Sequence, residues 1–225
     1  MVYLGQLIQP APAPPITVAI KHLHLPTANP HLNRQNFQQL IATLSLANHP
    51  NVISYYGSHI VDEDCFLFLE YCSGGTLAEY LATNGPVTSK SQLAQWVHDA
   101  AAGLAYLHRS GVVHRDIKPS NIMIQDGKLK LTDLSSAKMH GACCPEVHDS
   151  KMAGTPAYLA PERTVFFIIF ILVSKTHPTG AQDVWSLGCV IYELVVGSQP
   201  FADIDNVWSL YFLLGQYSRL HAASR

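Results

Sequence analysis

The chain has 225 residues, 48% of them apolar, and a formal charge of −2, which allows one large domain or two lobes around a real core. Near-neutral charge gives no electrostatic case for nucleic acid or an anionic membrane as partner, and 13% charged residues with a mean hydropathy of +0.12 are charge-poor and apolar for a soluble protein. The charge is unevenly placed: no Asp or Glu occurs before Asp62, so all 16 acids lie downstream.

Met1 to Leu7 reads as a strand, and Pro10-Ala11-Pro12-Ala13-Pro14-Pro15 as a stiff extended connector that cannot pair in a sheet. Ile16 to Lys21 is a β-branched strand ending in a lysine. Asn33 to Leu46 is expected to be helical, since Phe37, Leu40, Ile41 and Leu44 form one apolar stripe. His49-Pro50-Asn51 ends that helix and Val52 to Tyr56 begins a strand. Cys65 to Glu70 is a buried strand that runs into the turn Ser73-Gly74-Gly75-Thr76.

Ser89-Lys90-Ser91-Gln92 opens a helix as a capping box. Its stripe is Leu93, Trp96, Val97, Ala100, Leu104 and Leu107, and Gly111 stops it. This helix is core scaffold that delivers the polar run His114-Arg115-Asp116 to a fixed place. Ile122 to Gln125 and Lys128 to Leu131 flank Asp126-Gly127, the strongest two-residue hairpin signal. The helix opening at Asp183-Val184-Trp185-Ser186-Leu187-Gly188 is apolar all round and is expected to be buried. Val165 to Val173 is a charge-free apolar run, too short to cross a bilayer and an aggregation liability if exposed. It reads as an insertion of accidental origin rather than a docking strip.

Cys65, Cys72, Cys143, Cys144 and Cys189 are odd in number and form no C-x-x-C, so neither a disulfide framework nor a zinc site is favoured. Reduced thiols in a cytoplasmic protein are expected. No charged and apolar leader is visible at the N-terminus. His22, His24 and His31 have no Cys or carboxylate beside them in sequence and read as solvated.

The chemistry concentrates in His114-Arg115-Asp116-Ile117-Lys118-Pro119-Ser120-Asn121 and in Thr132-Asp133 beyond the hairpin. A carboxylate, an ammonium, an amide and a second carboxylate on two loops can hold phosphates, a metal and a hydroxyl together. Phosphoryl transfer needs that positioning and charge neutralisation more than covalent chemistry. Asp116 would orient the attacking hydroxyl, Lys118 would reach the γ-phosphate, and Asn121 and Asp133 would ligate Mg²⁺.

This loop, Val18-Ala19-Ile20-Lys21, Gly154-Thr155-Pro156 and Ala160-Pro161-Glu162 fall in the order of the eukaryotic protein kinases, which the chain resembles over nearly its whole length. Lys118-Pro119 is the serine/threonine version. Asp205-Asn206-Val207-Trp208-Ser209-Leu210 resembles the MAP kinase kinase kinase (Ste11-like) group. The resemblance implies an α+β, bilobal fold in one domain over 1–225. A small β-rich N-lobe with one helix would occupy 1–71, and a mainly helical C-lobe 72–225, with the apolar insertion near 164–176.

It also implies ATP and Mg²⁺ as cofactors, and transfer of the γ-phosphate to serine or threonine of a protein substrate such as a MAP kinase kinase. Lys21 would meet the α and β phosphates. Ala19 and Met123 would line the adenine pocket, and Val2 would join the ATP-binding positions. Leu69 would be the gatekeeper, with Glu70 and Cys72 giving hinge backbone contacts. Asp183 would anchor the catalytic loop, His114 would be structural or regulatory, and Arg115 would face a phosphate on the activation segment, with Ser150 the nearest acceptor. Thr155 and Glu162 would be structural or regulatory.

Four departures from the family pattern bear on activity. Met1-Val2-Tyr3-Leu4-Gly5 resembles the stretch just after the glycine-rich loop, so that loop is not in the sequence, and the last C-lobe helices are also expected to be missing. Leu40 stands where the family's helix supplies a glutamate to the strand lysine, and neighbouring registers give only Gln39 or Ile41. Asp133-Leu134-Ser135 replaces Asp-Phe-Gly, and serine restricts the backbone freedom of glycine. The fourth is the Val165 to Val173 run. The alternative reading is therefore a pseudokinase-like ATP-binding or scaffold domain. A membrane-associated protein built around Val165 to Val173 has little support.

Overall fold

A strand whose alternate side chains are buried must lie with one face on a core, and the run Asp64–Glu70 (β4) alternates cleanly, burying Cys65, Leu67 and Leu69. In the computed structural model it is flanked by Ile16–His24 (β2) and Tyr55–Val61 (β3), and Val2–Leu7 (β1) pairs along the far side of β2. All pairings are antiparallel, in the order β1-β2-β4-β3. The residues described are 1–10, 12–24, 38, 41–42, 44–45, 47–134, 137–139, 155–161 and 180–223.

Behind the sheet, Leu77–Asn84 (α1) leads to Lys90–Arg109 (α2), the two-residue strand Val112–Val113 (β5) and a 3-10 turn at Pro119–Asn121. The hairpin Ile122–Gln125 (β6) and Lys128–Leu131 (β7) follows, then Lys138–Met139 (β8), which pairs with β5. A second 3-10 turn at Pro156–Tyr158 precedes Gly180–Val196 (α3) and Val207–Ala223 (α4). The fold is α+β and bilobal, an antiparallel sheet lobe on a helical one.

One apolar core joins the lobes: Leu44, Ile53, Leu67 and Leu69 on the sheet side continue into Trp96, Leu104, Leu129 and Leu131 on the helical side. Helix α2 buries Trp96, Ala100, Leu104 and Leu107 as one stripe. It approaches the Asn51 segment so closely that a Cβ on Gly103 would stand 2.5 Å from the Asn51 carbonyl oxygen. Asn51 Nδ2 donates to the Leu129 carbonyl at 2.9 Å, and Asp99 Oδ2 accepts from Leu129 N at 3.1 Å. Trp96 Nε1 donates to the Gly127 carbonyl. The hairpin is thus fixed to the helix by polar as well as apolar contacts.

The hairpin turn is as expected, with Asp126 at φ 50° and Gly127 at φ 75°. Two expectations are modified. The strand expected from Val52 begins at Tyr55, because Val52 is bridged to Leu131 and Ile53 N donates to the Leu131 carbonyl. Helix α3 is not buried all round. Asp183, Leu187, Val190 and Leu194 bury one stripe, while Val184, Tyr192, Val195 and Val196 remain 59%, 48%, 53% and 49% exposed. An apolar composition shared by all faces gives no sign of which face meets the core.

The capping expectation is met at Ser89, whose side chain accepts from Gln92 N. A complete capping box also occurs at Thr76 and Glu79, where α1 begins. In the helix expected near Leu46, residues 38, 41, 42, 44 and 45 are helical; Phe37 and Leu40 lie outside the described residues. So do Ser135, Cys143, Cys144, Ser150, Glu162 and Val165 to Val173. Among the described residues no helix is long and apolar enough to cross a membrane. Cys65, Cys72 and Cys189 are free and buried, and burial pushes each thiol up to about 11.

Asp99 gives a direct test of the helix–hairpin bond. Replacing Asp99 by Ala strands a buried Leu129 N–H and is expected to cost about 1–3 kcal/mol in denaturant unfolding. Gln95→Ala, which removes only the partly exposed donor to Asp99 Oδ1, should cost about 1 kcal/mol or less.

Candidate functional site: a polar loop on a buried carboxylate

The polar loop after β5 is held from beneath. Asp183, in the first turn of α3, is 0% exposed. Its Oδ2 accepts from His114 N and its Oδ1 from Arg115 N, both at 2.8 Å. His108 Nε2, from the last turn of α2, donates to Oδ2 at 2.8 Å. His114 is buried and ties this loop to the one after the hairpin, donating from Nε2 to the Thr132 carbonyl at 2.8 Å. Thr132 N donates back to the Asn121 carbonyl. Arg115 at φ 72° and Asp133 at φ 61° lie in the left-handed region, which costs about 1–2 kcal/mol for each such residue and persists only under constraint.

Above this anchor, Asp116 gathers three partners. Its Oδ2 lies 2.8 Å from Lys118 Nζ and accepts from Asn121 Nδ2 at 2.9 Å. Its Oδ1 accepts from Thr155 Oγ at 3.3 Å, and Lys118 Nζ donates to the same Thr155 oxygen at 2.8 Å. Asn121 Nδ2 also donates to the Asp116 carbonyl at 2.8 Å. With both amide hydrogens spent on Asp116, the amide orientation is fixed by the network and Oδ1 is the group offered to a cation.

Lys21 reaches across from β2 to Asp133, Nζ to Oδ1 at 2.5 Å. Lys21 pairs in register with Leu67, and Ala19 with Leu69. Lys21, Leu44, Ile53, Leu67, Leu69, Asp133 and Leu134 line a recess of about 10 Å³, room for about one water. A carboxylate on Asp133 and a neutral amide oxygen on Asn121 make a hard, oxygen-only donor set. That set fits Mg²⁺, which keeps several waters and needs few protein ligands. The pairing with Lys21 answers the missing helix acid: with no carboxylate before Asp62, the lysine finds its counter-charge on the far side of the cleft.

Glu70 makes a second polar link between the lobes. Its Oε2 accepts from Ser54 N, Ser54 Oγ and Lys130 Nζ, the last at 2.9 Å, linking the end of β4 to β7 in the other lobe. Burial pushes this carboxyl up, but the hydrogen bonds from Lys130 and Ser54 outweigh it and hold the carboxyl below its ordinary value. Cys72 is buried beyond it, and Gly74 N donates to the Ile124 carbonyl where a Cβ would stand 2.6 Å from that oxygen. Met123 bridges Thr76.

The structure thus brings Asp116, Lys118, Asn121 and Thr155 into one cluster, sets His114, Arg115 and Asp183 beneath it, and joins Lys21 to Asp133. Val2 stands on the edge strand, opposite Lys21 in register and mostly exposed. Ser150 and Glu162 are outside the described residues. Sequence reasoning missed His108, Ser54 and Lys130. A basic residue in the last turn of a helix is a visible signal at His108, but its partner lies 75 residues on. The Glu70 network yields a pH prediction. A depressed carboxyl contributes stability above its unfolded value of 4.5 and loses it as pH falls through the folded value. Glu70→Gln should therefore unfold more easily than wild type at pH 7, and urea melts of the two should converge as pH falls through the depressed folded value of the Glu70 carboxyl.

The protein kinase domain family matches residues 15–214. MAP kinase kinase kinase wis4 of Schizosaccharomyces pombe is 39% identical over 181 residues, covering 76% of this chain and 12% of its own length. MAP kinase kinase kinase SSK2 of Saccharomyces cerevisiae is 35% identical over 204 residues, covering 76% and 12%. Mitogen-activated protein kinase kinase kinase 3 of Arabidopsis thaliana is 34% identical over 183 residues, covering 80% and 28%. The chain spans only 12% to 28% of the length of these relatives. It belongs to the protein kinase domain family, as a domain of serine/threonine type that resembles the MAP kinase kinase kinases.

Proposed function

We propose that this domain transfers the γ-phosphate of Mg²⁺-ATP to serine or threonine hydroxyls of a protein substrate, as a cytoplasmic step of a MAP kinase cascade with a MAP kinase kinase as the substrate class. The observation that carries the proposal is the cluster on Asp116, where Lys118, Asn121 and Thr155 converge on one carboxylate. Asp116 orients the acceptor hydroxyl and takes its proton, and Asn121 fixes the Asp116 rotamer. Lys118, already within reach of Asp116 and Thr155, lends positive charge where the transferred phosphoryl group gathers negative charge. Lys21 holds the phosphates from the sheet side, with Ala19, Leu69 and Met123 around the adenine and the Glu70–Cys72 backbone along its edge. Bound between Asn121 and Asp133, Mg²⁺ would neutralise phosphate charge. Ser150 is the proposed phosphate acceptor facing Arg115.

A scaffold or pseudokinase reading has one observation in its favour. Lys21 is paired with the same Asp133 that would ligate the metal, and position 40 is leucine. Purified protein with Mg²⁺-ATP and a generic basic protein substrate separates the two. Labelling of serine or threonine should fall at least about a hundredfold in Asp116→Asn, the contribution of a positioned general base. Equal labelling by wild type and Asp116→Asn contradicts the proposal, whereas robust turnover lost on Asp133→Asn rules out the scaffold reading. Leu40→Glu should raise turnover, because a second carboxylate for Lys21 leaves Asp133 to the metal.

A further inference from the structure

We infer that the proline-rich connection between β1 and β2 is a docking surface for a protein domain whose aromatic-lined groove reads polyproline II backbone. The last rung of that hairpin joins Leu7 to Ile16, so residues 8–15 form its connection. Hairpin connections commonly take about 2–5 residues. This longer one is built on Pro10, Pro12, Pro14 and Pro15, with alanine at 11 and 13. Among the described residues it closes on itself through Ala13 N, which donates to the Pro10 carbonyl at 3.2 Å. Pro10, Pro12, Ala13, Pro14 and Pro15 are all exposed, and Ile8 beside them is 83% exposed. The prolines therefore lie outside the core on which the sheet packs.

The chemistry of this loop selects the partner. Proline fixes its own φ near about −65° and, as the residue that follows, keeps Ala13 and Pro14 out of helical backbone. The run from Ala13 into Ile16 is thus held extended before any partner arrives, and the β1–β2 ladder clamps both ends of the connection. Seating such a run costs little conformational entropy. Its pyrrolidine rings pack on aromatic faces, and the carbonyls between them accept from Tyr O–H or Trp N–H groups. No Asp, Glu, Lys or Arg precedes Lys21, so the groove that fits is uncharged where it meets the loop, and exposed Ile8 extends the apolar contact. Lys21 pairs with Val2 at the other end of the hairpin, about 17 Å along β2 from Ile16. A partner seated on the loop therefore leaves Lys21 and Asp133 uncovered, and docking is separable from phosphotransfer.

The test titrates three purified probes, one SH3, one WW and one EVH1 domain, into the isotope-labelled full chain and follows its amide resonances. At least one probe should bind saturably with a Kd below about 1 mM. Its shifts should centre on the N–H groups of Ile8, Gln9, Ala13 and Ile16, and Asp116 and Asp133 should not move. The variant carrying Pro14→Ala and Pro15→Ala should bind the same probe at least about tenfold more weakly. Its urea unfolding should remain cooperative, because the substituted rings are exposed. Should that variant fail to fold, the wild-type shift map still decides. The inference is overturned by the absence of saturable binding to all three probes, by shifts centred away from residues 8–16, or by a folded variant that binds as tightly as wild type.

Discussion

A carboxylate with no solvent exposure is tolerable only if its oxygens are met by donors, and Asp183 is met by three. Removing one partner of such a group costs far more than a surface contact, so the donors and the acid constrain one another. Two of the donors are backbone N–H groups of the loop that carries Asp116. The loop's left-handed Arg115 is therefore held by the start of α3, and α3 is held by its buried stripe in the common core. The Asp116 cluster inherits its geometry from the core through one side chain.

The two lobes meet through polar links as well as apolar ones. Lys21 on β2 pairs with Asp133 beyond β7, and Glu70 at the end of β4 pairs with Lys130 on β7. Both pairs are partly buried, so water screens them less than it would a surface pair. The first of them joins the two groups the proposal assigns to phosphate and metal. On the proposed reading, a cation held by Asp133 would compete with Lys21 for the same carboxylate.

Much of this was legible in the sequence because it is local. Alternation in Asp64–Glu70, the stripe of α2, the Asp126-Gly127 turn and the spacing from Asp116 to Asn121 all act within a few residues. The Asp183 anchor was expected from the family resemblance rather than from its own neighbours. Long-range partners left no such mark. His108 with Asp183, Lys21 with Asp133 and Lys130 with Glu70 are separated by 75, 112 and 60 residues. Helix α3 misled for the opposite reason: its apolar residues lie on every face, so composition concealed which stripe packs. The Thr76–Glu79 capping box is local as well, although Ser73-Gly74-Gly75-Thr76 reads as a turn.

The claim at the centre of this account is that a buried acid away from the phosphates sets the catalytic geometry. Its most direct test is Asp183→Asn, with turnover and Mg²⁺-ATP affinity measured separately on protein that still unfolds cooperatively. The carboxamide offers one acceptor oxygen and turns a second position into a donor facing other donors. The account predicts a fall in kcat of about a hundredfold or more, with nucleotide affinity held within about twofold. Turnover equal to wild type in the folded variant would contradict it.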